Sequence, residues 1–189
     1  MADESNPYKL LKNRPIYENP WFEVEEHDVI QPHGKQGIYG KILFKNEAVG
    51  IVPIEFNETT QEYDTWLVGQ YRYPIDKYSW EIPEGGCPIG TDKLQSAKRE
   101  LREETGFTAT KWQELITVHI SNASTNEVGT LYLAQDLTPG DTEFDETEVI
   151  EIRRLSLMDA LTMIETNEIT DALSMIGLIQ AYKTLLLQS

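Results

Sequence analysis

Three glutamates, Glu100, Glu103 and Glu104, stand at helical spacing in the segment Ala97-Lys98-Arg99-Glu100-Leu101-Arg102-Glu103-Glu104. At 3.6 residues per turn they fall within roughly 100° of one another. Leu94, Ala97 and Leu101 take the adjacent arc, so the carboxylates border the buried stripe instead of opposing it. Like charges three and four residues apart destabilise a helix by about 0.2–0.5 kcal/mol per pair. A hard divalent cation held between them would convert that repulsion into ligation, because Mg²⁺ and Mn²⁺ take carboxylate oxygens and keep waters. Arg99, four residues before Glu103, can steady it. A merely solvated glutamate-rich helix is the commoner meaning of such a cluster, so the surroundings must decide.

The helix bearing the cluster is well signalled. Thr91 is the expected N-cap, Asp92 suits the positive helix end, and Gly106 closes it. Residues 1 to about 20 carry Pro15 and Pro20 with no clean period and read as an arm. Trp21 to Phe44 reads as a hairpin turning at Pro32 to Gly37. Ala48–Phe56, Thr65–Arg72 and Tyr78–Pro83 read as strands, the last expected to stop at Gly85-Gly86. Beyond the helix, Trp112–Ile120, Val128–Ala134 and Val149–Leu155 read as strands, with a polar run at Ser121–Glu127 and an acidic loop at Asp141–Glu148. Ser156–Ile164 and Asp171–Leu187 read as helices, capped by Ser156 and by Thr170-Asp171. With strands outnumbering helices, the class is α+β or a layered α/β/α sandwich.

The 189 residues suffice for one domain with a full core plus an extension. Asp and Glu number 32 against 16 Lys and Arg, a formal charge of −16. Such a surface repels phosphate backbones, so no nucleic-acid partner is expected. It also repels a small anionic substrate, which would need arginines or metal ions to be held. Cys87 is the single cysteine and excludes an intrachain disulfide. No apolar run reaches the length of a membrane span, and the acidic start is unlike a signal peptide, so a cytoplasmic protein is expected.

Upstream of the glutamates lies Trp80-Glu81-Ile82-Pro83-Glu84-Gly85-Gly86, and the helix ends Arg99-Glu100-Leu101-Arg102-Glu103-Glu104-Thr105-Gly106-Phe107. Together they resemble the Nudix box: Gly, five residues, Glu, seven residues, then Arg-Glu-apolar-any-Glu-Glu-any-Gly-apolar. Gly85 takes the first position and Arg99 to Phe107 match the second half without a gap. Thr91 stands where the pattern has its first Glu, a residue that in the family mostly supports the loop and the motif arginine.

The resemblance runs from about Trp21 to Tyr182 and is nearest to ADP-ribose and nucleoside-diphosphate-sugar pyrophosphatases. It implies a Nudix-type α/β/α sandwich with a mixed sheet and an N-terminal β-hairpin extension. Residues 1–56 would form that extension, serving dimerisation and base binding, and 57–189 the catalytic domain. It further implies two or three Mg²⁺ or Mn²⁺ ions on Glu100, Glu103, Glu104 and the Glu84 backbone carbonyl. Arg72, in Gln70-Tyr71-Arg72-Tyr73-Pro74, matches an arginine that reaches phosphate or the distal sugar, and a guanidinium suits bidentate hydrogen bonding there. Glu81 joins it as a substrate-binding position, and Trp21 and Tyr39 match aromatics that stack on the base. A catalytic glutamate is placed in the acidic loop, where Glu146 and Glu148 both stand, beside Glu103 in a catalytic role. The segment Asn167–Ala172 matches the same subgroup and reads as structural. The implied activity is metal-dependent cleavage of ADP-ribose or an NDP-sugar by a homodimer. A non-catalytic nucleotide-sugar sensor, or a hydrolase of another nucleoside diphosphate derivative, is the alternative.

Overall fold

The computed structural model describes residues 5–142 and 149–187. The chain divides into two compact units, Met1–Asn46 with His119–Glu127, and Glu47–Val118 with Val128–Ser189.

The first unit is an antiparallel sheet of β1 (Lys9–Glu18), β2 (Phe22–Ile30) and β3 (Gln36–Phe44), in that order. The hairpin forms where the alternation and the Pro32–Gly37 turn placed it. The segment read as an arm, however, is a ten-residue strand. Almost every side chain of β1 is exposed, so no buried face imposes a period of two on the sequence. Its order comes from the ladder to β2 and from Arg14, which bonds Glu26 at 2.7 Å and both oxygens of Asp28 at 2.5 and 2.7 Å. Pro15 is tolerated because β1 is an edge strand, and the register shifts between Pro15 and Tyr17. The polar run after β8 belongs to this unit. The Asn126 amide accepts from the Phe44 N–H at 2.6 Å and donates to the Phe44 carbonyl at 3.0 Å. That side chain thereby imitates a neighbouring strand at the end of β3.

The second unit contains β4 (Asn46–Asn57), β5 (Glu62–Arg72), β6 (Lys77–Glu81), β7 (Glu84–Pro88), α1 (Lys93–Thr105), β8 (Thr108–His119), β9 (Val128–Thr138), β10 (Glu151–Ser156), α2 (Leu157–Glu165) and α3 (Ala172–Leu186). The sheet order is β10-β5-β4-β9-β8, with β6 on β5 and β7 on β4. It is mixed, since β4 runs parallel to β9 while β5 is antiparallel to β4, β6 and β10. Both faces of β4 and β9 are covered, which is why their sequences read as continuous apolar runs. Val49, Ile51, Tyr132 and Ala134 face Ala97 and Leu101 of α1. On the opposite face Gly177 of α3 lies against Val52, Ile82 and Leu131. Helices on both faces of a mixed sheet make the α/β/α sandwich. Among the described residues no helix is long and apolar enough to cross a membrane.

Two local expectations are corrected. The N-cap of α1 is Asp92, not Thr91: its carboxylate accepts the N–H groups of Leu94 and Gln95 at 2.9 and 3.3 Å. A charged acceptor answers both the orphan N–H groups and the positive helix end. The Thr91 hydroxyl turns back to the Pro88 carbonyl at 2.7 Å. Gly85-Gly86 does not terminate strand structure either, for both residues lie inside β7.

Gly106 ends α1 in the left-handed region at φ +73°, where its N–H bonds the Arg102 carbonyl at 2.8 Å. A β-carbon there would overlap the carbonyl oxygen of Gly140. Gly106→Ala is expected to destabilise the fold by about 2 kcal/mol or more, combining left-handed strain with a backbone clash. The check is a lower urea midpoint at unchanged slope. Phe107, one residue on, packs edge-on against Trp66 with centroids 4.8 Å apart and pins the end of α1 to β5.

Candidate active site

The turn between β6 and β7 is held from three sides. The Ile82 N–H donates to Ser174 Oγ on α3 at 3.0 Å, and the Pro83 carbonyl accepts from Ile51 on β4 at 2.8 Å. The Glu84 N–H donates to Glu104 Oε2 on α1 at 2.9 Å. Helices from both layers and the central strand therefore fix one short loop, and that loop faces the carboxylates of α1.

On α1 itself, Glu100 and Glu104 are buried and Glu103 is half-buried, as the position of the triad beside the apolar stripe requires. The Glu100 carboxyl lies on the α-carbon of Gly85, where any side chain would overlap it. Arg99 ties the group together: Nη1 donates to Glu103 at 2.6 Å, and Nη2 donates to Glu100 at 2.6 Å and to the Gly86 carbonyl at 3.0 Å. Burial alone would lower the Arg99 guanidinium, but Glu100 and Glu103 more than offset that and hold it above its ordinary value.

Arg72, at the end of β5, is gripped by two carboxylates. Its Nε donates to both oxygens of Glu81 at 3.0 Å, and its Nη2 donates to Glu81 and, at 3.1 Å, to Glu84 Oε1. Three of its five N–H donors are engaged by these glutamates, which leaves Nη1 with no partner among the described residues. Burial would lower this guanidinium too; bonding and charge from Glu81 raise it instead. Glu84 is the strained member. Its Oε2 is buried without a hydrogen-bond partner. Burial first, then repulsion from Asp171 and Glu81, pushes the Glu84 carboxyl well above the usual carboxylate range.

The structure thus gathers Arg72, Glu81, Glu84, Glu100, Glu103 and Glu104 in one region of the second unit. Six carboxyls (these five and Asp171) meet two guanidiniums, Arg72 and Arg99. Among the described residues no three acidic, histidine or cysteine side chains are already arranged as a metal cage, and Arg99 sits between Glu100 and Glu103. The donor set nevertheless fits a hard divalent cation. It consists of carboxylate oxygens and it carries surplus negative charge. Trp21 and Tyr39 lie in the first unit. Trp21 is exposed, while the Tyr39 hydroxyl donates to the Ala123 carbonyl at 2.6 Å and its ring meets Tyr8 edge-on. Tyr39 pairs with His27 and Phe22 with Phe44, so the two aromatics stand about 20 Å apart along the strands within one chain. Glu146 and Glu148 lie outside the described residues.

Two features escaped the sequence. The Glu84 side chain was expected to matter only through its backbone, and Asp171 was read as a helix cap. Asp171 does cap α3, accepting from Ser174 at 2.7 Å, yet its charge also reaches Glu84. The signal for Glu84 was an acidic residue at a tight Pro-Glu-Gly turn, where burial of a charge is unexpected.

Comparisons with known proteins identify the family. The NUDIX domain model matches residues 45–174, and the model for the nucleoside diphosphate sugar hydrolase N-terminal domain matches residues 8–42. The chain belongs to the Nudix family. It is 30% identical over 166 residues to a Bacillus subtilis (strain 168) protein named ADP-ribose pyrophosphatase, covering 87% of this chain and 86% of that one. It is 31% identical over 171 residues to a Bacillus methanolicus protein named methanol dehydrogenase activator, covering 89% of each. A crystal structure titled ADP compounds hydrolase shares the fold, with a TM-score of 0.86 over 100% of this chain and 99% of that one at 24% identity. Nudix hydrolases as a family use divalent metal ions, which is what the surplus of carboxyls calls for.

Proposed function

We propose that this Nudix enzyme hydrolyses the pyrophosphate bond of ADP-ribose or a related nucleoside diphosphate sugar, giving a nucleoside monophosphate and a sugar phosphate. The observation that carries the reading is the concentration of acid around α1, six buried or half-buried carboxyls against two guanidiniums, in a chain of net charge −16. Glu100, Glu103, Glu104 and the Glu84 backbone carbonyl hold two or three Mg²⁺ or Mn²⁺ ions in this reading. Bound there, divalent ions neutralise a diphosphate and lower the pKa of a coordinated water. The chain's own residues do the rest. Arg99 keeps Glu100 and Glu103 oriented, Arg72 meets a phosphate oxygen, and Glu146 or Glu148 takes the proton of the attacking water. Trp21 or Tyr39 stacks on the base. A homodimer is expected, in which the base-binding aromatics of one chain serve a site shared with the other.

The reading is supported by the names of relatives, among them ADP-ribose pyrophosphatase and ADP-sugar pyrophosphatase. It is tested by incubating the protein with Mg²⁺, alkaline phosphatase and, separately, ADP-ribose, ADP-glucose, GDP-mannose and a dinucleoside polyphosphate. Phosphate release from ADP-ribose or an NDP-sugar, stopped by a chelator, is the expected result. Release from none of the four sinks the hydrolase reading. It would favour instead a ligand-binding regulator, the role suggested by the relative named methanol dehydrogenase activator.

A further inference from the structure

We propose that the Glu84 side chain is a positioning residue that, with Glu81, fixes the Arg72 guanidinium so that Nη1 alone is presented to the substrate. The proposal rests on the hydrolase reading for its substrate and on the structure for its geometry. Glu81 takes the Nε hydrogen and one Nη2 hydrogen of Arg72. Glu84 Oε1 takes the other side of Nη2 at 3.1 Å. With Nε and Nη2 both committed, neither of the two forked edges of the guanidinium that include them is open to a phosphate. The remaining Nη1 carries two donors, on a side chain about one-third exposed. Arg72 therefore addresses one oxygen of a diphosphate through a single nitrogen, and does not clamp a phosphate through two.

Glu84 suits this task because its backbone is anchored on both sides. Its backbone N–H is bonded to Glu104 and its neighbour Pro83 is bonded to β4. Its Oε2 is buried with no hydrogen-bond partner, so the bond that orients the carboxyl is the one Oε1 accepts from Arg72. The same residue that offers its main chain to the α1 carboxylates thus sets the direction of the arginine. Distance between the metal-facing glutamates and the arginine becomes a property of one loop.

Glu84→Ala keeps the backbone carbonyl and removes the carboxyl. KM for the diphosphate substrate is expected to rise about tenfold with kcat changed by less than about threefold, the loss of one charge-assisted orienting bond. Glu84→Gln keeps an acceptor for Nη2 and should recover most of that loss. In an Arg72→Ala background, Glu84→Ala should add less than about twofold, because the two residues act as one unit. Mn²⁺ affinity, read by titration without substrate, should stay within about twofold of wild type, since the carbonyl is retained. Side-chain ¹H–¹⁵N spectra supply a readout independent of turnover: Nη1 and Nη2 of Arg72 should give separate signals in the wild type that merge in Glu84→Ala as rotation is freed. Multiplying KM effects in the double variant, an unchanged KM, a loss of Mn²⁺ affinity, or identical Arg72 signals would each overturn the proposal. If wild-type protein turns over none of the diphosphates, the hydrolase reading fails, and the Arg72 signals still decide whether Glu84 positions the arginine.

Discussion

Glu104→Gln is expected to lower metal-dependent turnover by about 10³-fold, on the basis that a bound metal ion supplies several kcal/mol of transition-state stabilisation and each 1.36 kcal/mol is tenfold in rate. The change removes a charge and keeps the shape of the side chain. Gln keeps the length of the side chain and an oxygen able to accept the Glu84 N–H, which Glu104 now accepts at 2.9 Å. The fold should therefore survive. Glu104 is buried, and it contributes to the repulsion that raises the Glu84 carboxyl. Neutralising it relieves that repulsion, so the thermal midpoint should hold or rise. The pair of measurements separates two accounts of the acidic cluster. A structural cluster would lose stability and keep its rate, whereas a metal site loses its rate and keeps its stability. Turnover within a few-fold of wild type would remove Glu104 from the ligand set.

That separation matters because the cluster was the most legible part of the sequence and also the least conclusive by itself. Glutamates at positions 100, 103 and 104 follow from helical periodicity, and the helix holding them was signalled by Gly106 and by the acidic residue at its start. The apolar runs of β4 and β9 were equally plain, since burial on both faces leaves no polar positions to obscure them. What could not be read was whatever depends on partners distant in sequence. β1 has no buried face, so its strand character exists only in the ladder to β2 and in the bonds of Arg14 to Glu26 and Asp28. The cap of α1 is a different case, a local competition between neighbours: Thr91 turns back to the Pro88 carbonyl three residues away and Asp92 takes the helix N–H groups. Glu84 faces Arg72 from twelve residues away and Asp171 from across the sandwich, so its burial became visible only with the fold assembled. The glutamate loop was legible as acidic composition and no further.

Gly85 provides the second decisive test, and here geometry predicts a large functional loss at small structural cost. Gly85→Ala would place a β-carbon on the carbon and both oxygens of the Glu100 carboxyl. Those atoms are the far end of a flexible side chain, so the conflict is resolved by swinging Glu100 aside and not by breaking β7 or α1. Overpacking of this sort costs about 1–3 kcal/mol, which a domain of this size tolerates when its core is intact. The displaced carboxylate, however, loses its 2.6 Å bond from Arg99 and its place beside Glu104 and the Glu84 loop. Turnover should fall by about 10²-fold, the scale on which misplacing a metal ligand's supports is felt. Mn²⁺ affinity should fall with it, and the two losses should track each other across Gly85→Ala and Gly85→Ser. Equilibrium unfolding of the same variants shows whether the stability cost stays small. If Gly85→Ala unfolds as easily as expected yet binds Mn²⁺ and turns over like the wild type, Glu100 does not need to lie on Gly85. The glycine of the motif would then serve only the path of the chain through β7.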